Sequence, residues 1–130
     1  MSENAQILEF RKQNPFELFI INICILNFTT IKLAEALEIV KNAEIDREKI
    51  IRKALSFCTM QERQILETKF GINGQKILSS QEISKITKLS TSRISTILHK
   101  SFAKISKNSP QMEIDELKKQ LTKLRFHNSF

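Results

Sequence analysis

Residues 79–97 read Ser-Ser-Gln-Glu-Ile-Ser-Lys-Ile-Thr-Lys-Leu-Ser-Thr-Ser-Arg-Ile-Ser-Thr-Ile, the most informative stretch of the chain. Ser79 and Glu82 have the spacing of a capping box, in which the hydroxyl and the carboxylate each bond a free backbone amide at a helix start. The helix that they begin carries Ile83 and Ile86 as its apolar residues. Ser90 is placed to cap a second helix. Two short helices joined by a polar turn near residues 87–90 predict a helix-turn-helix.

The second helix of this pair is predicted to run to about residue 105. Its apolar residues recur at three- and four-residue steps and are predicted to face the core: Ile94, Ile97, Leu98, Phe102 and Ile105. The opposite face carries short polar side chains and cations, which suit contact with base edges in the major groove. Arg93 is the predicted base contact, because one guanidinium bonds O6 and N7 of guanine together, whereas nearby lysines are predicted to contact phosphates. The predicted DNA-binding residues are Lys85, Lys88, Ser90, Thr91, Ser92, Arg93, Ser95, Thr96, His99, Lys100 and Lys104.

The helix before this pair is signalled by a second capping box, formed by Thr59 and Glu62. It is predicted to end at Gly71, and an Asn-Gly pair at 73–74 marks a turn after it. The side chains predicted to be buried on this helix are Ile65, Leu66 and Phe70.

Three more helices are predicted in residues 1–56. Pro15 starts the first, which is apolar nearly all round and therefore needs to be covered by other parts of the protein. Thr29 or Thr30 caps the second, and Asp46 caps the third. The residues expected to face the core on these last two helices are Ile31, Ala34, Leu37, Val40, Ile50, Ile51, Ala54 and Leu55.

A last helix is predicted from the Ser-Pro pair at 109–110 onwards. Its apolar residues form a short seam of heptad type: Met112 or Ile114, Leu117, Leu121 and Leu124. The seam is shorter than the three or four heptads typical of a coiled coil. A helix laid back on the domain is one interpretation, and a homodimer contact or a docking surface for a partner is the other.

Charge is distributed unevenly along these segments. Residues 1–56 contain eight basic and eight acidic side chains, whereas residues 57–108 contain nine basic and three acidic ones. Between Glu82 and Glu113 there is no acidic residue. A single-signed stretch of this kind attracts a polyanion such as double-stranded DNA, although a merely solvated basic face gives the same pattern.

Composition favours an all-α protein, a small helical bundle that contains the helix-turn-helix and flanking helices. The chain has 130 residues but only 2 Gly and 2 Pro, too few for a closely turned sheet. We expect an N-terminal helical module (1–56), a helix-turn-helix domain (57–108) and a C-terminal amphipathic helix (109–130). Two lone cysteines and no signal peptide favour the cytoplasm, and no apolar run is long enough to span a membrane.

A series of short motifs links much of residues 58–105. It comprises Glu62-Arg63, Ile65-Leu66, Lys69-Phe70-Gly71-Ile72, Glu82-Ile83-Ser84, Leu89-Ser90, Arg93-Ile94, Ile97, Lys100, Lys104 and Ile105. In this order and spacing the motifs resemble region 4 of the bacterial primary sigma factors. That domain holds the upstream promoter hexamer and the flap of RNA polymerase, so the resemblance implies DNA and RNA polymerase as partners. The polymerase-binding residues that it implies are Ile65, Leu66, Lys69 and Phe70.

The chain departs from this family where bases are read. The family has an Arg-Glu-Arg run and a Gln one turn later, whereas this sequence has Thr91, Ser92, Arg93 and Thr96 there. We therefore expect that the sequence preference is altered or weakened, or that the surface serves another use. The chain has no Trp and no Tyr, and residues 1–56 contain no aromatic and basic helix of the kind that melts promoters. The resemblance thus implies a sigma-like transcription regulator without the promoter-melting region, which binds RNA polymerase, DNA or both. Residues 1–56 are expected either to bind a separate protein partner or to substitute for the missing sigma regions.

Two other functions fit the same residues. One is a stand-alone helix-turn-helix repressor or activator that binds DNA as a dimer, and the other is a protein-only adaptor that keeps the domain as a scaffold. The sequence gives no support for an enzyme, a cofactor or a metal site, because His99 and His127 lack a partner at a useful spacing.

Overall fold

The computed structural model describes residues 5–25 and 32–127, whose regular structure is helical throughout. In chain order the helices are α1 (Ala5–Gln13), α2 (Pro15–Cys24), α3 (Leu33–Asn42), α4 (Arg47–Ser56), α5 (Met60–Phe70), α6 (Ser80–Thr87), α7 (Thr91–Lys107) and α8 (Asp115–His127). Two 3₁₀ turns, Ile72–Gly74 and Ser109–Met112, follow α5 and α7. Among the described helices, none combines the length and apolar character that crossing a membrane requires. The all-α prediction is confirmed.

The predicted helix starts are confirmed in atomic detail. At the start of α5 the Glu62 amide donates to Thr59 Oγ1 (3.2 Å), and the Thr59 amide donates to Glu62 Oε1 (2.7 Å). The same reciprocal pair joins Ser79 and Glu82 at α6, with distances of 2.9 and 3.1 Å. Ser90 accepts one hydrogen bond at the start of α7. Local spacing alone therefore fixes where these three helices begin.

The α5 helix ends at Gly71, as its sequence predicts. This glycine is left-handed, with φ of 63°, and a β-carbon at this position would lie 2.7 Å from Ile77 Cγ1. Both the conformation and the close approach of Ile77 favour glycine here.

Helix α2 lies in the middle of the main core. It packs against α3 and α8 and also against α5 and α7. Three phenylalanine rings, from Phe19, Phe70 and Phe102, meet edge to face with centroids 5.6–5.7 Å apart. The almost wholly apolar α2 is thus covered by helices from both later parts of the chain.

A smaller core holds α5, α6 and α7 together. It consists of Ile65, Ile83, Ile94 and Ile97, which are all at most 4 % exposed. These residues come from α5, α6 and α7, so α6 is held between the helix before it and the helix after it.

Several residues predicted to face the core do not. Ala34 is exposed, whereas Leu37 and Val40 are buried on α3 as predicted, together with Ala36. Ile86 is 65 % exposed, because the eight-residue α6 packs through Ile83. Ile51 is only half-buried, whereas Asp46 caps α4 as predicted, accepting from the Lys49 amide. The predicted cap at Thr29 or Thr30 and the inward position of Ile31 lie outside the described residues.

The C-terminal region differs from the prediction at its start. Residues at and after Pro110 form the 3₁₀ turn, and Glu113 then takes a left-handed conformation with φ of 58°, so α8 begins only at Asp115. The seam is nevertheless largely buried: Met112, Ile114, Leu117 and Leu121 are at most 5 % exposed. Because α8 packs on α2 and α3, the interpretation as a helix laid back on the domain is confirmed.

Candidate nucleic-acid interface

The turn between α6 and α7 is three residues long and is held by side-chain hydrogen bonds. The Ser84 hydroxyl donates to the Leu89 carbonyl, and the Thr87 hydroxyl donates to the Ile83 carbonyl (2.8 Å). The Leu89 amide in turn donates to Thr87 Oγ1 (3.3 Å). Two of these bonds connect the end of α6 to Leu89 in the turn, and the third lies within the last turn of α6. Local side-chain bonds therefore help to set the angle between the two helices.

Lys88 adopts the left-handed conformation at this turn, with φ of 63°. A side chain with a β-carbon is disfavoured there by about 1–2 kcal/mol. We expect Lys88→Gly to raise the free energy of unfolding by about 0.5–1 kcal/mol, since part of the gain is offset by the greater freedom of glycine in the unfolded chain. Urea unfolding followed by circular dichroism measures the change.

Lys88→Ala is the matched control, because it removes the same charge but keeps the β-carbon. It should be no more stable than the wild type. Equal stability of the glycine and alanine variants would show that the backbone at this turn is not strained.

The exposed face of α7 is polar and positively charged. It consists of Ser92, Arg93, Ser95, Thr96, His99 and Lys100, and Lys107 is exposed further along the helix. Lys85 and Lys88 are exposed on α6 and the turn, next to the start of α7 in the chain. The structure therefore brings most of the predicted DNA-binding residues to the surface of the α6–α7 unit (residues 80–107). The described part of this unit has one acidic residue, Glu82, at its first turn.

Three of the predicted contact residues have structural roles. Ser90 Oγ accepts the Arg93 amide (3.0 Å) as the cap of α7. Thr91 is half-buried at the first position of the helix. The Thr96 hydroxyl donates to the Ser92 carbonyl (3.1 Å), so its proton is directed along the helix and its lone pairs remain to accept.

Lys104 forms an ion pair within the fold. Its Nζ lies 2.7 Å from Glu62 Oε1, and the Glu62 side chain is 7 % exposed. Burial alone would raise the pKa of Glu62, but hydrogen bonds from Lys104 and Thr59 and the charge of Lys104 lower that pKa overall. The ion pair joins α7 to the start of α5, and the phosphate contact of Lys104 stays a prediction.

A small groove, with a volume of about 180 Å³, separates the start of α5 from α7. Arg93 and Lys100 line it on the α7 side, and Thr59 and Gln61 line it on the α5 side. Gln61, which was not predicted, is exposed there, and Glu62 also lines the groove.

The four predicted polymerase-binding residues do not form a surface. Ile65, Leu66 and Phe70 are at most 6 % exposed and belong to the two cores, so their apolar pattern marks packing. Lys69 is half-buried, and its Nζ donates to Ser80 Oγ (2.9 Å). The prediction of these four as a contact surface is corrected, because their side chains hold α5 in place.

Arg11 was missed by the sequence analysis. It is 5 % exposed, and its guanidinium donates to the carbonyls of Lys69 and Leu78 (2.8 Å for Leu78). These carbonyls lie at the two ends of the connection between α5 and α6, so α1 fixes that connection. No local pattern signals such a contact, because Arg11 is 58 positions away from Lys69 and 67 positions away from Leu78 in the chain.

Comparison of the chain with models of protein families, with curated proteins and with solved structures found no match.

Proposed function

We propose that this protein binds double-stranded DNA through the α6–α7 unit. The observation that carries the proposal is the exposed face of α7, where cations and hydroxyl groups stand together at the N-terminal half of a helix that follows a short, fixed turn. A helix presented in this way fits the major groove, with its first turns toward the bases. Arg93 supplies the base contact in this arrangement, and Lys85 and Lys100 supply phosphate contacts.

The same surface supports a role as a sigma-like transcription regulator. The resemblance of residues 58–105 to region 4 implies RNA polymerase as a second partner. Because Ile65, Leu66 and Phe70 are buried, a polymerase contact would use exposed groups near α5 and α6 instead. Met60 and Ile86 are the exposed large apolar residues of the described chain, at 80 % and 65 %, and they are the anchors that we propose for it.

Salt dependence of duplex binding tests the DNA proposal. A labelled duplex of mixed sequence is titrated with the protein at salt concentrations from about 50 to about 200 mM. The phosphate contacts of Lys85 and Lys100 are expected to contribute about −1.8 to the slope of log affinity against log salt. We expect Lys85→Ala/Lys100→Ala to reduce the size of that slope by about 2, since each substitution removes one phosphate contact.

Lys41→Ala/Lys119→Ala is the control, because it removes two exposed lysines from α3 and α8 and changes the net charge equally. The slope should stay as in the wild type. Equal effects of the two double variants would show attraction by overall charge and contradict a site on α7. A protein that binds neither duplex DNA nor purified bacterial RNA polymerase would overturn both parts of the proposal.

A protein-only adaptor is the second candidate function, favoured by the exposure of Ile86 beside the α6–α7 turn. It predicts retention of RNA polymerase or another protein with no affinity for duplex DNA at any salt concentration.

A further inference from the structure

A groove runs between α3 and α8, at the end of α3 and the connection that follows it, with a volume of about 540 Å³. Its apolar lining comes from Ile39, Ala43, Ile45 and Leu117. The first three of these are half-buried, so apolar surface stays accessible in the groove. We call this feature the α3–α8 groove.

The rim of the α3–α8 groove is acidic. Glu38, Glu44, Glu113 and Glu116 line it, and all four are exposed, whereas no Lys, Arg or His among the described side chains lines it. Lys49 Nζ lies 3.4 Å from Glu113 Oε1, but both side chains are more than half exposed. Such a surface pair is weak and a competing cation can replace it.

We propose that the α3–α8 groove binds a lysine- or arginine-rich amphipathic helix of a partner protein. An apolar floor takes one face of such a helix, as in other helix-in-groove complexes, and the cations that flank this face meet the four carboxylates. Charge complementarity of this kind also selects the partner, because an acidic or neutral helix does not offset the repulsion among the four neighbouring carboxylates.

A second copy of the chain is a poorer occupant. The basic helices α4 and α7 bury most of their own apolar side chains. Those at most 5 % exposed are Ile50, Ala54, Leu55, Ile94, Ile97 and Phe102. The exposed face of α7 offers lysines without apolar anchors. The occupant therefore needs a basic helix whose apolar side is free.

The groove and the exposed face of α7 are carried by different parts of the bundle. Helix α2 packs against α3 and α8 and separately against α5 and α7, so it stands between them. We therefore expect that a partner helix in the groove and a DNA duplex on α7 can be bound to the protein at the same time. The groove proposal goes beyond DNA binding and does not depend on it.

The test uses a synthetic helical peptide of about 14 residues, with leucines at three- and four-residue steps and lysines beside them. A scrambled peptide of the same composition and a version with glutamate for lysine are the controls. We expect only the first peptide to bind, and we expect it to shift the amide resonances of Ile39, Ala43 and Leu117.

Glu38→Lys/Glu116→Lys is expected to weaken binding of this peptide at least about tenfold, because it places like charges at the rim. Glu9→Lys/Glu48→Lys is the matched control, since it also reverses one mid-helix and one first-turn glutamate, on α1 and α4. The control variant should change the affinity for the peptide less than about twofold, which is much smaller than the tenfold effect expected for Glu38→Lys/Glu116→Lys.

Three results would overturn the proposal. The first is no binding of the basic amphipathic peptide. The second is a lack of specificity, in which the scrambled peptide binds equally well or both double variants lose the same affinity for the peptide, and it would indicate diffuse attraction. The third is self-association of the protein, measured by sedimentation, that disappears in Glu38→Lys/Glu116→Lys. That outcome would assign the groove to a second copy.

Discussion

Phe19→Ala is expected to lower the free energy of unfolding by about 3–5 kcal/mol, which is a large share of the stability of a domain of this size. Phe19 is 1 % exposed, and its ring meets those of Phe70 and Phe102 with centroids 5.6 and 5.7 Å away. Truncation removes the apolar burial and two edge-to-face contacts, and it leaves a cavity between α2, α5 and α7. Urea unfolding followed by circular dichroism measures the loss.

Phe19→Leu is the control for this substitution. It keeps most of the buried volume, so it should cost less than about 1.5–2 kcal/mol even though the ring contacts are lost. Phe57→Ala gives a second comparison, because Phe57 is only half-buried at the end of α4. A loss for Phe19→Ala no larger than that for Phe57→Ala would contradict a central role of α2 in the core.

This prediction also bears on how the chain is divided. Phe19 lies in residues 1–56, whereas Phe70 and Phe102 lie in residues 57–108. The main core includes side chains from both segments and from α8, so residues on either side of the expected boundaries at 56 and 108 pack in one core. We therefore expect Phe19→Ala to unfold α5 and α7 in the same transition as α2, which amide hydrogen exchange resolves residue by residue.

Helix starts were predictable because the interactions that fix them are local. A capping box needs only two residues three positions apart, and both examples, at Thr59 and Ser79, are present. The same holds for the cap at Asp46 and the end of α5 at Gly71. Within the described residues, these signals placed α4 to α7 without reference to any distant contact.

Helix faces were less predictable because burial depends on which neighbours a helix meets. Ala36 is an exception, because it shares the i, i+3, i+4, i+7 spacing of one helix face with Leu33, Leu37 and Val40, so periodicity favours it over Ala34. Ile86 looks like a core residue, yet α6 is short and meets its neighbours through Ile83. Helix α1 was not predicted from the sequence.

The candidate site shows the same division. The polar face near the start of α7 was predictable from its position after the Ser90 cap, and Ser92, Arg93, Ser95, Thr96 and Lys100 are exposed on it. The pairing of Lys104 with Glu62 was not predictable, because the two residues are 42 positions apart. Spacing identifies which face of a helix is polar, but only the fold identifies which charges on it are already paired.

Lys104→Met is expected to destabilise the protein by about 2–3 kcal/mol at neutral pH. Removal of one partner from a buried ion pair costs about 3–5 kcal/mol, and the 34 % exposure of the Lys104 side chain places this pair below that range. The substitution leaves the Glu62 carboxylate, which is 7 % exposed, without its cation. Lys100→Met is the control, because Lys100 is exposed on the same helix and should change stability little.

Glu62→Gln/Lys104→Met tests the physical reason for that loss. The double variant has no buried charge, so it should be more stable than Lys104→Met by about 1 kcal/mol or more.

Lowering the pH should also relieve the cost of the unpaired Glu62 carboxylate. In the wild type the pKa of Glu62 is held below its ordinary 4.5, so the contribution of the pair is present above that pH and is lost as the pH falls further. In Lys104→Met the carboxylate is buried without a cation, and protonation relieves its cost. An unpaired buried carboxylate has a raised pKa, so its cost in Lys104→Met is relieved at pH values above 4.5, whereas the wild type loses its own contribution only below 4.5. The stability gap between wild type and Lys104→Met should therefore begin to narrow above pH 4.5, and the gap for Glu62→Gln/Lys104→Met should narrow only below about 4.5. Equal stability of the single and double variants at all pH values would mean that the Glu62 carboxylate is solvated once Lys104 is removed.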